Sequence, residues 1–344
     1  MQRAIQRVLC PEPEVLWAPF AIRKARDIIR EFGIQTLMIT APPFSAFLVG
    51  NALKREFPHL QLISDFRDEW LDFYLNDIDF QGGEYTKKRA SQMERETVEL
   101  SDCIVAVTPS SLERIRRRYP DQPDDKFACV YNGFDPDTFQ GFTRQPHGLP
   151  KVVVTHLGTA YKTASPRYYL DALDEMPEPM RSAIETRFIG RATDAELAIL
   201  RSSKSPVDVI GFLPQAEALR RVEETDYLLL TMTNDISLPG KLFEYLAVGK
   251  PILALCSRGS ETERILKLTQ AGVTAEHTDR QAIQNMLAKA YESAMKGVPL
   301  CRGDRSEISK FERPRLAAQY GLLIQGLLER DRRPGREAAH QRTC

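Results

Sequence analysis

Apolar residues recur at helical spacing from Ala21 to Phe32 (Ala21, Ala25, Ile28, Ile29, Phe32), and Gly33 follows where a left-handed cap ends a helix. A continuous apolar run at 36–40 then predicts a strand buried on both faces, and Pro42-Pro43 breaks the chain before a helix at 45–55. Further strands are predicted at 60–64, 103–108 and 127–131, with helices at 85–100 and 110–119 between them. The alternation resumes after Pro150. Strands are expected near 151–157, 186–190, 207–211, 227–231, 252–255 and 273–275, with helices near 166–175, 194–202, 215–224, 240–248 and 260–270. Two helices follow, near 280–295 and 314–328, the second with Leu316, Tyr320, Leu323 and Leu327 on one face.

Strands alternating with helices imply an α/β protein with parallel sheets covered on both faces, here two Rossmann-like doubly wound domains. A length of 344 residues also asks for two domains of roughly 100–200 residues each. The stretch 132–150 carries Gly133, Pro136, Gly141, Pro146, Gly148 and Pro150 with few apolar residues. This sets a first domain at 1–140, a linker at 141–150 and a second domain at 151–306. The Arg-rich end, 331–344, reads as a solvated tail. The halves are unequal, with four predicted strands against six. A doubly wound sheet starts from its central strand and a glycine-rich turn, yet no strand precedes the first helix and no glycine precedes Gly33. The first domain is therefore expected to be incomplete, with an uncovered sheet edge.

Charge narrows the partners. Lys plus Arg and Asp plus Glu both number 47, so no global field steers the chain to nucleic acid, and any anionic ligand must be met locally. Six cysteines occur without a CxxC pair or a Cys/His cluster, which argues against a disulfide framework and a bound metal. No apolar run suits a signal peptide or a spanning helix, and a cytoplasmic location is the default expectation.

Ligands of open α/β sheets sit outside the carboxyl ends of the strands, which directs attention to the turns after them. In His156-Leu-Gly-Thr-Ala-Tyr-Lys162, Gly158 and Thr159 offer backbone N–H groups to a phosphate and Lys162 adds charge; an ordinary strand-to-helix turn is the alternative. Arg191, after Phe188-Ile-Gly190, suits a base or a phosphate, or solvent alone. Phe212 and Leu213, after Gly211, could flank a base edge, though packing would also account for Phe212. The most specific segment is Leu238-Pro-Gly-Lys-Leu-Phe-Glu-Tyr-Leu-Ala-Val-Gly-Lys-Pro251. Lys241 falls in a first helical turn, where a cation opposes the helix dipole unless an anion binds there. Glu244, three residues on, is placed to accept from a ribose diol; a surface Lys/Glu pair is the bland reading.

With these residues in place, 152–278 resembles the nucleotide-sugar domain of the retaining GT-B glycosyltransferases of the family-four type, the bacterial polysaccharide and lipopolysaccharide group. In the first half, Thr40-Ala-Pro-Pro-Phe-Ser45, Asp65-Phe-Arg-Asp-Glu-Trp70 and Val130-Tyr-Asn-Gly-Phe-Asp135 are similar to segments of the same branch. The resemblance implies a GT-B fold whose helix at 307–330 crosses back to the first domain. It implies a nucleoside-diphosphate-sugar donor, a saccharide or lipid-linked acceptor, no cofactor or metal, and contact with the inner face of the membrane. Donor contacts would come from Gly158, Thr159, Lys162, Arg191, Phe212, Leu213, Pro239, Gly240 and Glu244, with Lys241 at the diphosphate. Arg67 and Asp68 stand where many relatives carry a cleft histidine and would be catalytic; a solvated or structural pair fits them equally.

Two positions depart from the family pattern. Ile236 occupies the place of the family's first acidic residue, with Asp235 and Ser237 beside it, and Thr163 and Ala164 replace further charge after Lys162. The expected activity is glycosyl transfer with retention in cell-surface polysaccharide synthesis, by a hexosyltransferase-like enzyme. The alternative is a non-catalytic nucleotide- or partner-binding remnant, or half of a split enzyme. An epimerase of similar fold would need acid/base groups in the cleft, and a nicotinamide dehydrogenase would need a GxGxxG turn that no predicted strand precedes.

Overall fold

The computed structural model describes residues 9–75, 84–139, 151–234 and 238–331. The linker expected at 141–150, the tail from 332 onward, and Asp235, Ile236 and Ser237 lie outside the described residues. Two compact units are present, one formed by 1–132 with 314–344 and the other by 133–313.

The first unit opens with helix α1 (Ala18–Phe32), which ends as the sequence predicts: Gly33 takes φ 59° and donates its N–H to Ile29. Strand β1 (Thr36–Ala41), helix α2 (Ser45–Glu56) and strand β2 (Gln61–Phe66) follow. Helix α3 (Trp70–Leu75) and helix α4 (Glu84–Leu100) lead to strand β3 (Cys103–Ala106), helix α5 (Pro109–Arg118) and strand β4 (Phe127–Cys129). The four strands are parallel in the order β1-β2-β3-β4. β2 and β3 are buried at every position, as strands covered on both faces must be. β1 is not: Met38 keeps 36% of its surface and Thr40 is exposed, which corrects the expectation of full burial. The reason is topological. β1 pairs only with β2, so its outer side has no strand partner among the described residues.

A buried ionic cluster ties α3, α4 and α5 together. Arg118 donates to Glu94 and to Asp72, both at 2.9 Å, Arg114 donates to Glu69 at 2.6 Å, and Tyr119 donates to Glu94 at 2.9 Å. Glu94 is fully buried and its second oxygen accepts the Leu71 N–H.

The second unit holds strand β5 (Val152–Leu157), helix α6 (Arg167–Asp174), helix α7 (Glu178–Ala183), strand β6 (Ile184–Ile189), helix α8 (Asp194–Ser202), strand β7 (Val207–Gly211) and helix α9 (Gln215–Glu223). Strand β8 (Tyr227–Thr231), helix α10 (Lys241–Val248), strand β9 (Ile252–Leu255), helix α11 (Glu261–Thr269), strand β10 (Gly272–Ala275), helix α12 (Arg280–Met295) and helix α13 (Arg305–Ser309) complete it. Its six strands are parallel in the order β10-β9-β8-β5-β6-β7. The chain builds outward from β5 to β6 and β7, then returns to place β8 on the other side of β5. That reversal is a topological switch point, and it opens a crevice at the carboxyl ends of β5 and β8. The last helix, α14 (Arg313–Asp331), packs Leu316 and Leu327 against Ile63, Cys103, Val105 and Val130 of the first unit.

Both sheets, with their alternating helices, have the Rossmann-like α/β architecture of the GT-B fold.

Candidate functional site

The switch-point crevice of the second unit gathers the residues with the strongest sequence signals. β5 ends on His156 and Leu157 and passes into Gly158; β8 ends on Thr231; α10 begins at Lys241 after Gly240. Tyr245 fastens α10 to the two strand ends. Its hydroxyl accepts the Leu157 N–H at 2.8 Å and lies within bonding distance of the Leu157 and Leu229 carbonyls at 3.1 and 3.3 Å. The first turn of α10 therefore has a fixed position over the end of β5.

Lys241 resolves its conflict with the helix dipole by reaching away from the turn. Its Nζ lies 3.2 Å from Nε2 of the fully buried His156, whose Nδ1 is 3.2 Å from the Leu229 carbonyl. Burial lowers the lysine from its ordinary 10.5 to about 8, with Glu244 opposing the shift. Burial and the neighbouring Lys241 hold His156 well below its ordinary value, so the imidazole is neutral. The ammonium remains the charged member at pH 7. Glu244 is exposed one turn along, with its carboxylate open to solvent.

Gly158 and Gly190 let two turns meet. A Cβ on Gly190 would lie 2.2 Å from the Gly158 carbonyl oxygen, and both residues hold positive φ, 144° and 121°. A Cβ on Gly158 would lie 3.5 Å from Lys241 Nζ, so the bare glycine leaves the ammonium its place. The Gly158 N–H, expected to face a phosphate, instead donates to Ile189 at 2.8 Å and continues the β5–β6 ladder. The Thr159 N–H has no hydrogen-bond partner among the described residues, while the Thr159 backbone bears on the His156 ring. Lys162 is exposed in a short 3-10 turn, and its carbonyl and that of Thr163 are met by Thr233 from the end of β8.

Gly190→Ala should destabilise the protein by about 2–3 kcal/mol or more, since strain and a backbone clash act together. Gly211→Ala, at φ 82° with nothing within 4 Å, should cost only about 1 kcal/mol of backbone strain. Urea unfolding of the two variants checks the contrast.

Beside this crevice, Arg191 from the end of β6 and Phe212 from the end of β7 pair with each other. The guanidinium carbon sits 5.1 Å from the ring centroid, and 68% of Phe212 is exposed. Leu213 is half-buried next to it, and Pro239 is half-buried before the exposed Gly240. A hydrophobic ring left open beside a planar cation is a surface for stacking rather than a packed core contact.

Arg67 and Asp68 belong to the first unit, at the carboxyl end of β2. The Arg67 guanidinium bonds the Val130 carbonyl, lies 3.4 Å from the Tyr131 carbonyl and the Asn132 side chain, and pairs with Asp65 at 3.1 Å. Asp65 also accepts from Tyr320 at 2.9 Å and Thr40 at 3.2 Å. Arg67 thus ties β2 to the segment after β4, while Asp68 is exposed.

Two groups at the crevice escape a sequence reading. His156 looks like a packed histidine, and Tyr245 like part of an apolar helix face. Only its place between two polar positions of the segment Lys241 to Glu244 and the glycine cap at Gly249 hints that Tyr245 closes the site. Among the described residues, no group of three His, Cys, Asp or Glu side chains could hold a metal ion, and no helix is long and apolar enough to cross a membrane.

Residues 2–138, less than half of the chain, match the family model described as Glycosyltransferase Family 4. No curated protein matches by sequence. Among solved structures, HepE from Anabaena in complex with UDP is similar at 17% identity, covering 89% of this chain and 82% of that one with a TM-score of 0.65. Sucrose-phosphate synthase from Thermosynechococcus elongatus is similar at 12% identity, covering 92% and 79% with a TM-score of 0.71. The lipopolysaccharide outer core galactosyltransferase WaaB in its apo form is similar at 13% identity, covering 90% and 80% with a TM-score of 0.64. At these identities the likeness establishes a shared fold.

Proposed function

We propose that this chain is a hexosyltransferase-like glycosyltransferase. It takes a sugar from a nucleoside-diphosphate sugar and transfers it, with retention and without a metal ion, to a saccharide or lipid-linked acceptor. The setting is cell-surface polysaccharide synthesis in the cytoplasm, at the inner face of the membrane. The observation that carries the reading is the Lys241 ammonium, set at a switch-point crevice against His156 and the Gly158 turn.

When the bond between the anomeric carbon and the diphosphate breaks, the departing oxygen takes the electron pair. Lys241, the Thr159 N–H, Lys162 and the open start of α10 at Pro239 and Gly240 meet the charge that develops there. One such donor, fixed beforehand, is worth on the order of 3 kcal/mol in the transition state. Glu244 accepts from the ribose hydroxyls, and Arg191, Phe212 and Leu213 flank the base. Arg67 and Asp68 act on the acceptor side. HepE was solved with UDP, with UDP and glucose, and with UDP-glucose, which makes uridine nucleotides the first donors to test.

Phe212→Ala and Arg191→Ala should each weaken UDP binding roughly 10-fold, the scale of one lost stacking contact, and leave the unfolding midpoint unchanged because both side chains are exposed. Calorimetry with UDP and thermal unfolding check both. A second reading, nucleotide binding without transfer, is favoured by Ile236 at the family's first acidic position. A screen of UDP- and GDP-sugars followed by a product assay separates the two, since only an enzyme releases free nucleoside diphosphate.

A further inference from the structure

We infer that His156 is a positioning residue that holds the Lys241 ammonium at the mouth of the Gly158 turn through its Nε2 lone pair. The role of that ammonium as a diphosphate contact rests on the function proposed above; the contact itself does not.

Four observations fix the arrangement. A carbonyl oxygen only accepts, so the 3.2 Å contact from His156 Nδ1 to the Leu229 carbonyl places the imidazole proton on Nδ1. Nε2 then carries a lone pair, and Lys241 Nζ at 3.2 Å donates to it. The ring is fully buried and stacks on Phe188, with centroids 5.2 Å apart and planes 27° apart, and the Leu229 carbonyl on one side selects the orientation that turns Nε2 to Lys241. The lysine stem crosses Gly158, the position where a side chain would press on it.

An ammonium has three donors, and the imidazole uses one. The other two have no acceptor among the described residues and remain for a ligand. Without the histidine, a four-carbon stem would be free to swing its charge back toward solvent, which is where an unpaired lysine is most stable. The imidazole is suited to the task because it is neutral: a carboxylate there would consume the charge that a diphosphate needs. The groups that bear on the pair are Glu244, one turn along α10, acting on Lys241, and Lys241 itself with the Leu229 and Thr159 backbone acting on His156; the Tyr245 hydroxyl is bound to the β5 end. Burial first, and the Lys241 charge second, keep a second proton off His156.

The test begins with the unaltered chain. Nitrogen-15 NMR of labelled histidine should show His156 protonated on Nδ1 with a bare Nε2; an Nε2-protonated ring overturns the proposal. Nitrogen-15 NMR of labelled lysine, with the Lys241 signal identified by its loss in Lys241→Met, should show titration near 8. In His156→Phe, which removes the acceptor and keeps the bulk, the Lys241 titration should move down by about one unit and UDP affinity should fall about 10-fold. Those are the scale of one hydrogen bond to a charged group. His156→Gln, whose amide oxygen can accept, should recover most of both. Unchanged Lys241 titration in a folded His156→Phe protein, or loss without recovery in His156→Gln, overturns positioning by the imidazole. If the NMR results hold and UDP does not bind, the pair stands and the donor reading fails.

Discussion

Lys241→Met is expected to weaken UDP binding by about 10- to 100-fold while leaving the fold intact, the range set by losing one charge-assisted hydrogen bond of about 1.5–3 kcal/mol. The same contact gives binding a pH dependence. Lys241 titrates near 8 in the folded chain, so affinity for a diphosphate should be full at pH 7 and fall as pH rises through 8 and beyond. Bound diphosphate raises the lysine, and proton uptake on binding should therefore peak between 8 and the bound value. Stability carries the opposite sign. Folding lowers this lysine from 10.5 to about 8, so between those values the unfolded chain holds the extra proton, and stability at this position rises with pH across that window. Below 8 the buried charge disfavours folding. Lys241→Met should thus be at least as stable as the parent at pH 7, which separates lost binding from lost structure. Calorimetry at pH 7 and 9 and thermal unfolding measure both effects.

Arg118→Met is expected to cost about 3–5 kcal/mol of stability, the range for breaking a buried ion pair from one side. Arg118 is the common partner of Glu94, which has no exposed surface, and of Asp72, which is 6% exposed. Removing it leaves two carboxylates buried, with Tyr119 and the Leu71 N–H as the remaining donors to Glu94. Glu69→Gln should behave in the opposite way. Burial and the neighbouring Asp72 push the Glu69 carboxyl up to about 7 against the pull of Arg114. The folded chain therefore holds a proton there that the unfolded chain has released, and stability falls as pH rises through that window. Glu69→Gln should not lose stability at pH 8. Urea midpoints of the two variants at pH 8 provide the comparison.

Much of the second unit is legible in the sequence. Strands at 207–211, 227–231 and 252–255 and helices at 194–202 and 280–295 have the bounds the pattern predicts; Gly211 ends the first strand, Pro251 precedes the third, and the Thr193 and Asp279 side chains cap the two helices. The helices Trp70–Leu75, Glu178–Ala183 and Arg305–Ser309 are too short to show a period. They are held by distant or flanking groups: Glu94 takes the Leu71 N–H, and Asp304 caps Ser306 and Glu307. The half-exposed β1 shows the limit of reading burial from composition, since its apolar run is that of a covered strand and only the sheet order reveals an edge.

The site divides in the same way. Gly158, Lys241 and Glu244 announce themselves through spacing, whereas the 3.2 Å contact between His156 and Lys241 joins residues 85 positions apart. That contact exists because β8 returns to lie beside β5, a fact of topology. The pairing of Arg191 with Phe212 depends likewise on β6 and β7 being neighbours. The family model covers 2–138, while the residues that propose the chemistry lie mostly in the other unit.

A crystal structure of this chain with UDP shows directly whether Lys241 holds the diphosphate. The diphosphate should lie within hydrogen-bond distance of Lys241 Nζ and the Thr159 N–H, the ribose hydroxyls at Glu244 and the uracil beside Phe212. UDP bound elsewhere on the second unit, or bound with Lys241 still free of phosphate, would contradict it.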